Sequence, residues 1–348
     1  MKPLIRIESP NTVSEQEIQQ HIQEGKRVIV QFVSQNYNRQ ILDRLNNLCA
    51  KYDDNFHVRF YGHYGESFDC NVLNNLPNVK ALSIDCLIKA DNIEAVTKLT
   101  NLQRLAIGVF EMKETDILSA ENLQHVKELI LLDTKTKAFN LEHLVKYQNL
   151  SSLVISGHTK NIDAVSTLNR LRTLRLNSIL KLPLHFVNAL TELKSLSIIL
   201  GGRDNIHELA ENKIEDLELV WIRGLNDLSN IGNFRKLKTL RIEDQIRLSH
   251  IDFDRELPEL SDLKILNCKT LSLISGLENL PALNQFRVYK TSIDFEQFVQ
   301  QPLPNSLQVL AFYTTRNKVD AQIKERLKIM GYTDGLQKSA AYKKLDHQ

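Results

Sequence analysis

Residues 214–242 read IEDLELVWIRGLNDLSNIGNFRKLKTLRI. The stretch begins and ends on one six-residue phrase, apolar-x-x-Leu-x-apolar, as IEDLEL from Ile214 and as LKTLRI from Leu237. Between the two, Leu225, Leu228, Ile231, Phe234, Leu237 and Leu240 fall on every third residue. The alternation inside L-x-L is what a short strand with one buried face requires. A spacing of three suits a tight 3-10-like return, whose side chains eclipse at i and i+3.

Outward from this stretch the phrase recurs. Upstream it reads VKALSI from Val79, LQRLAI from Leu102, VKELIL from Val126, LSSLVI from Leu150, LRTLRL from Leu171 and LKSLSI from Leu193. Downstream it reads LSDLKI from Leu260, LNQFRV from Leu283 and LQVLAF from Leu307, which makes eleven copies at steps of 21 to 24 residues. The apolar thirds recur too, as Ile93, Val96, Leu99, Leu102 and Leu105, and as Ile162, Val165, Leu168, Leu171 and Leu174. Of the 54 leucines only five lie in residues 1–75, so the repeat begins after that segment. One strand and one return cannot bury their own apolar face, so each copy depends on its neighbours, and stacking aligns the strands in a parallel sheet about 4.8 Å apart.

These residues resemble the leucine-rich repeat proteins, in the short class with steps of 22–23 residues. The resemblance spans residues 79–312 and implies an α/β solenoid: a curved horseshoe with a parallel sheet on the concave face and short helical or 3-10 returns on the convex face. It implies little about function, because this fold carries many unrelated binding roles. One departure is systematic. Members of the family place Asn three residues after the last strand leucine, where its amide satisfies turn backbone. Here that column reads Leu87, Phe110, Thr134, His158, Ile179, Gly201, Ile222, Gln245, Cys268, Thr291 and Thr315, with no Asn. A missing or partial side-chain ladder is expected, with turns of varied shape.

The ends extend the same logic. LIRI (4–7), RVIVQFV (27–33) and HVRFYG (57–62) read as strands, and Val58 to Leu82 is one repeat step. SEQEIQQHIQEG (14–25) opens on a Ser-x-x-Glu-like start and ends at glycine, and YNRQILDRLNNLCAKY (37–52) puts Ile41, Leu45 and Leu48 on one helical face. VDAQIKERLKIMGY (319–332) reads as a closing helix with Ile323, Leu327 and Met330 inward, followed by a polar tail over 333–348. The expected organisation is therefore a helix-rich N-terminal cap over 1–75, a solenoid of about eleven repeats over 76–316, and a capping helix with tail over 317–348.

Chemistry finds little support. Forty-four Lys and Arg stand against 42 Asp and Glu, which disfavours a one-sided basic surface for nucleic acid. No apolar run reaches membrane-spanning length, and the N-terminal segment lacks a secretory h-region. Cys49, Cys70, Cys86 and Cys268 form no C-x-x-C pair and read as small buried residues of a reducing, cytoplasmic compartment. P-loop, dinucleotide, zincin and nucleophile-elbow motifs are absent, the ten histidines show no ligand spacing, and no cofactor or metal is expected. His63 and Cys70, in the aromatic stretch 61–70, are the one imaginable nucleophile pair, with no third group placed. The alternative to a binding protein is an enzyme, or an enzyme's regulatory subunit, with its activity in the atypical N-terminal segment.

A partner is expected on the strand face, where the residues between the strand leucines point. A zone of Ile130, Leu132, Val154, Ile199, Leu200, Val220 and Trp221 is apolar for a surface. Beside it Arg175, Arg241, Lys264 and Arg287 form a basic column, broken by Glu218, Glu243 and Asp244 and flanked by Tyr289 and Tyr313. Apolar ground with Trp, Tyr and Arg is the composition of an interaction hot spot. The expected binding residues are Arg175, Glu218, Trp221, Arg241, Glu243, Lys264, Arg287, Tyr289 and Tyr313. They should grip one protein partner, a folded protein or a peptide, with no nucleic acid or membrane, in a chain monomeric on its own. Adaptor, inhibitor or immunity-type antagonist, and bacterial effector all remain open as roles.

Overall fold

The computed structural model describes residues 2–180 and 182–335. Tertiary contacts divide the chain into two compact units, Met1–Leu171 and Arg172–Gln348.

In Met1–Leu171 the strands are β1 (Leu4–Glu8), β2 (Arg27–Phe32), β3 (Phe56–Gly62), β4 (Ala81–Leu87), β5 (Arg104–Val109), β6 (Glu128–Leu131) and β7 (Ser152–Ser156). Neighbours in this order pair in parallel, and the third strand joins the repeats in the expected register, Val58 opposite Leu82. Leu82, Leu105, Leu129 and Leu153 then stack one upon the next. The connections are α1 (Glu15–Gln23), α2 (Arg39–Tyr52) and short 3-10 turns such as Ile93–Lys98 and Ile162–Thr167. Ser14 caps α1 by accepting from the Glu17 amide, and Asn38 caps α2 by accepting from the Ile41 amide. Ile41, Leu45 and Leu48 are buried as the helical face requires, joined by Leu42 and Cys49.

In Arg172–Gln348 the strands are β8 (Thr173–Asn177), β9 (Ser195–Ile199), β10 (Asp216–Val220), β11 (Thr239–Glu243), β12 (Asp262–Leu266), β13 (Gln285–Tyr289) and β14 (Val309–Tyr313). All pair in parallel with the next, and Leu174, Leu196, Leu217, Leu240, Leu263, Phe286 and Leu310 form one continuous buried row. Returns include the 3-10 turns His185–Ala189, Ile231–Asn233 and Leu277–Asn279, and the helix α3 (Phe295–Gln300). The closing helix α4 (Asn317–Ile329) buries Ile323 and Leu327. Met330 lies at its C-terminal end and is exposed, contrary to the sequence expectation, because the helix ends one residue before it. The polar tail expected from 333 lies, from residue 336 on, outside the described residues.

The turn ladder is partial and chemically mixed. Gln245 is fully buried, and its Nε2 donates to the Leu219 carbonyl (3.1 Å) and the Glu243 carbonyl (2.7 Å). His158 Nε2 sits 2.8 Å from the Leu132 carbonyl and so donates, while Nδ1 accepts from the Phe139 amide; burial pushes its pKa down. The Cys268 thiol points at the carbonyls of Leu266 and Ile242. In other repeats the column is apolar and buried, as at Leu87, Ile179 and Ile222. Cys86 departs from the expected burial: it is exposed and takes a left-handed φ of 54°.

Candidate functional site

All nine expected binding residues lie in Arg172–Gln348, on or immediately after the strands. Register places Arg175, Ser197, Glu218, Arg241, Lys264, Arg287 and Ala311 opposite one another along β8 to β14. The basic column is compensated by carboxylates within the sheet. Glu218 receives Arg175 (3.4 Å), Arg241 (3.5 Å) and the Ser197 hydroxyl (2.8 Å). Arg241 also binds Glu243 through Nε at 2.7 Å. Asp262 receives Lys264 (2.8 Å) and Arg287 (2.7 Å). Opposite charges pair along one strand (Arg241–Glu243, Lys264–Asp262), on neighbouring strands (Arg241–Glu218, Arg287–Asp262) and across two strands (Arg175–Glu218), because the sheet holds them within reach. Tyr289 lies opposite Tyr313, whose hydroxyl donates to Asp334. Burial and that carboxylate raise the Tyr313 pKa.

The apolar residues divide between the two units. In Met1–Leu171, Ile130, Leu132 and Val154 are half-buried. Leu132 lies over Gly108, where an added Cβ would come within 2.7 Å of its Cδ1, so that glycine makes room for the leucine. In Arg172–Gln348, Ile199, Leu200 and Val220 are half-buried, while Trp221 is 60% exposed.

Trp221 belongs to a second column that the backbone defines. Ser178, Leu200, Trp221, Asp244, Asn267 and Lys290, one residue past each strand, all take φ between 49° and 59°. Each donates its amide to the carbonyl that ends the next strand, from Ser178 to Ile199, Leu200 to Val220, Trp221 to Glu243, and onward to Tyr313. Asn and Asp tolerate this left-handed conformation; a bulky side chain is strained there. Trp221 therefore combines backbone strain with an indole left largely in water.

Sequence reasoning missed the next positions along this turn rim. Leu180, Gly202 and Arg223 are bridged in parallel one turn beyond the strands. Leu180 is 68% and Ile246 57% exposed, and Arg223 and Arg247 are exposed as well. Leu180, Gly202, Gly224, Asp204, Arg223 and Arg247 border a shallow hollow of about 360 Å³. Extending the repeat alignment three residues past the last strand position would have put Leu180, Gly202, Arg223 and Ile246 in one column.

The catalytic alternative gains nothing from the geometry. His63 turns Nδ1 to the Tyr61 carbonyl at 2.9 Å and packs its ring on Phe68. Cys70 is buried, and desolvation, with Asp69, Glu94 and Asp91 nearby, pushes its thiol up to about 12, the reverse of what a nucleophile needs. Among the described residues no three His, Cys, Asp or Glu side chains are grouped to hold a metal ion, and no helix is long and apolar enough to cross a membrane.

No family model matches the chain, and no curated protein matches it either. Solved structures do. The internalin InlF of Listeria monocytogenes aligns over 89% of this chain and 87% of its own, at 18% identity and a TM-score of 0.55. Toll, in the Toll–Spatzle complex from Drosophila, aligns over 90% of this chain but 43% of its own, at 15% identity and a TM-score of 0.50. At these identities the likeness is one of fold: the chain is a leucine-rich-repeat solenoid of parallel strands and short returns, divergent in its turn ladder.

Proposed function

We propose that the chain is a non-enzymatic protein-interaction scaffold that grips one protein partner on the exposed strand face of Arg172–Gln348. Arg175, Glu218, Trp221, Arg241, Glu243, Lys264, Arg287, Tyr289 and Tyr313 are its contact residues. The observation that carries this reading is Trp221, the chain's one tryptophan, 60% exposed in a left-handed conformation that a bulky residue adopts at a cost. Strain combined with an exposed aromatic favours a binding role over a packing role. The paired charges around Glu218 and Asp262 hold the arginines in set directions, which suits recognition of a folded surface. The Toll structure is of a complex with Spatzle, so a solenoid of this general form can engage a protein. In the same reading, residues 1–75 and 317–348 cap the ends of the repeat core. The four free cysteines suit a reducing, cytoplasmic setting.

The test is affinity capture from the native organism, with wild-type chain and Trp221→Ala/Arg241→Ala/Lys264→Ala as parallel baits and mass spectrometry as the readout. One protein should be enriched by the wild type and depleted at least about tenfold by the triple variant. Equal recovery on both baits would move the site elsewhere.

A further inference from the structure

The strand-face cations are matched by carboxylates; four cations of the rim are not. Among the described residues, Arg223, Arg247, Lys269 and Lys290 make no ion pair. Arg223, Arg247 and Lys269 are exposed and Lys290 is half-buried, and they lie on four consecutive repeats of Arg172–Gln348. Arg223 and Arg247 border the hollow of about 360 Å³ together with Leu180, which is 68% exposed. Ile246, beside Arg247, and Trp221, two residues before Arg223, add exposed apolar surface. The carboxylates on this rim are Asp204, in the hollow itself, and Asp244, which accepts from the Asn267 amide group. Arg203 also borders the hollow but is committed to Glu208 and to the carbonyls of Leu182 and Asn205. The free charge of the rim is thus positive, and it surrounds apolar ground.

We infer that this rim is a docking surface for an acidic peptide segment of the partner, with Asp or Glu flanking large apolar side chains. The inference rests on the scaffold reading and specifies its partner's chemistry. An apolar side chain of the segment would enter the hollow against Leu180 and the Gly202 and Gly224 backbone. Its neighbouring carboxylates would meet Arg223 and Arg247, whose planar guanidinium groups suit two-point contact with a carboxylate. Charge complementarity selects this occupant: a basic or neutral segment would leave the arginines uncompensated, and a polyanion without apolar groups would leave Leu180, Trp221 and Ile246 in water.

The test uses a phage-displayed library of random short peptides, selected on the full-length chain. Recovered peptides should carry an excess of Asp and Glu beside Leu, Ile or Phe. A synthetic copy should shift the Trp221 emission to shorter wavelength, and its affinity should drop at least about tenfold on Arg223→Glu/Arg247→Glu. It should hold within about threefold on Lys236→Ala/Lys238→Ala, exposed lysines paired with Glu259 and Glu215 that belong neither to the rim nor to the strand-face contact residues. Circular dichroism melting confirms that each variant is folded. Recovery of no peptide, recovery without acidic bias, or equal binding to the rim variant overturns the inference. So does equally tight, arginine-dependent binding of a thymidine oligonucleotide. Loss of the peptide only on Arg241→Ala/Lys264→Ala overturns it while leaving the strand-face reading standing.

Discussion

The strand face and the turn rim of Arg172–Gln348 come from the same repeat, a few residues apart, and they treat charge in opposite ways. On the strand face the buried leucines lock the register, so outward residues stand opposite one another about one strand spacing apart. Glu218 and Asp262 each hold two cations there. On the rim the chain turns through a left-handed residue, and Arg223 finds Gly202 opposite it rather than a carboxylate. A fixed ladder neutralises its own charges; a turn column leaves them available. An exposed sheet rich in Arg and Glu is thus a poorer sign of a charged partner than two arginines on adjacent turns.

Three measurements can break or sharpen this contrast. The largest effect concerns how firmly a strand face holds its polar groups. His57 of β3 is buried and bonds Ser83 of β4 at 2.9 Å; burial, with Arg59 nearby, pushes its pKa from 6.5 down to about 4. The unfolded chain takes up that proton at higher pH than the folded one. The contribution of neutral His57 is therefore complete above pH 6.5 and is lost as pH falls towards 4. About 3 kcal/mol is at stake over that window. Urea unfolding of wild type and His57→Asn across the window should show the wild type losing this much more. Parallel curves would mean that the histidine titrates freely.

A smaller effect of opposite sign is expected at the border between the two surfaces. Trp221→Gly removes a bulky side chain from φ +49° and should raise stability by about 1 kcal/mol while weakening partner binding. A loss of stability would show that the indole is a packing residue after all. The smallest effect belongs to the ion pairs themselves. Arg241→Ala should change stability by no more than about 1 kcal/mol, since its partners are partly solvated. A larger loss in thermal melts would make the Glu218 cluster a structural element of the sheet.

The repeat made the fold legible. Leucines at fixed steps specify strand, return and parallel stacking, and even β3 before the first full copy could be placed by the step from Val58 to Leu82. The Asn column could be seen to be missing, yet not what replaced it. Gln245, His158 and Cys268 each reach a carbonyl 26 residues back, and that distance is set by how two turns stack. That the proposed contact residues lie on or just after the strands was legible in the sequence; how their charges pair was not.

Period, buried row, strand limits and the outward columns follow from the sequence alone, because alternation within a strand and dependence between repeats leave one way to bury the leucines. Which charges cancel, which turns carry backbone strain, and which arginines stay in water were decided only by the tertiary structure. Those depend on distances across neighbouring repeats, and a change of one residue in a turn shifts them without disturbing the leucine row.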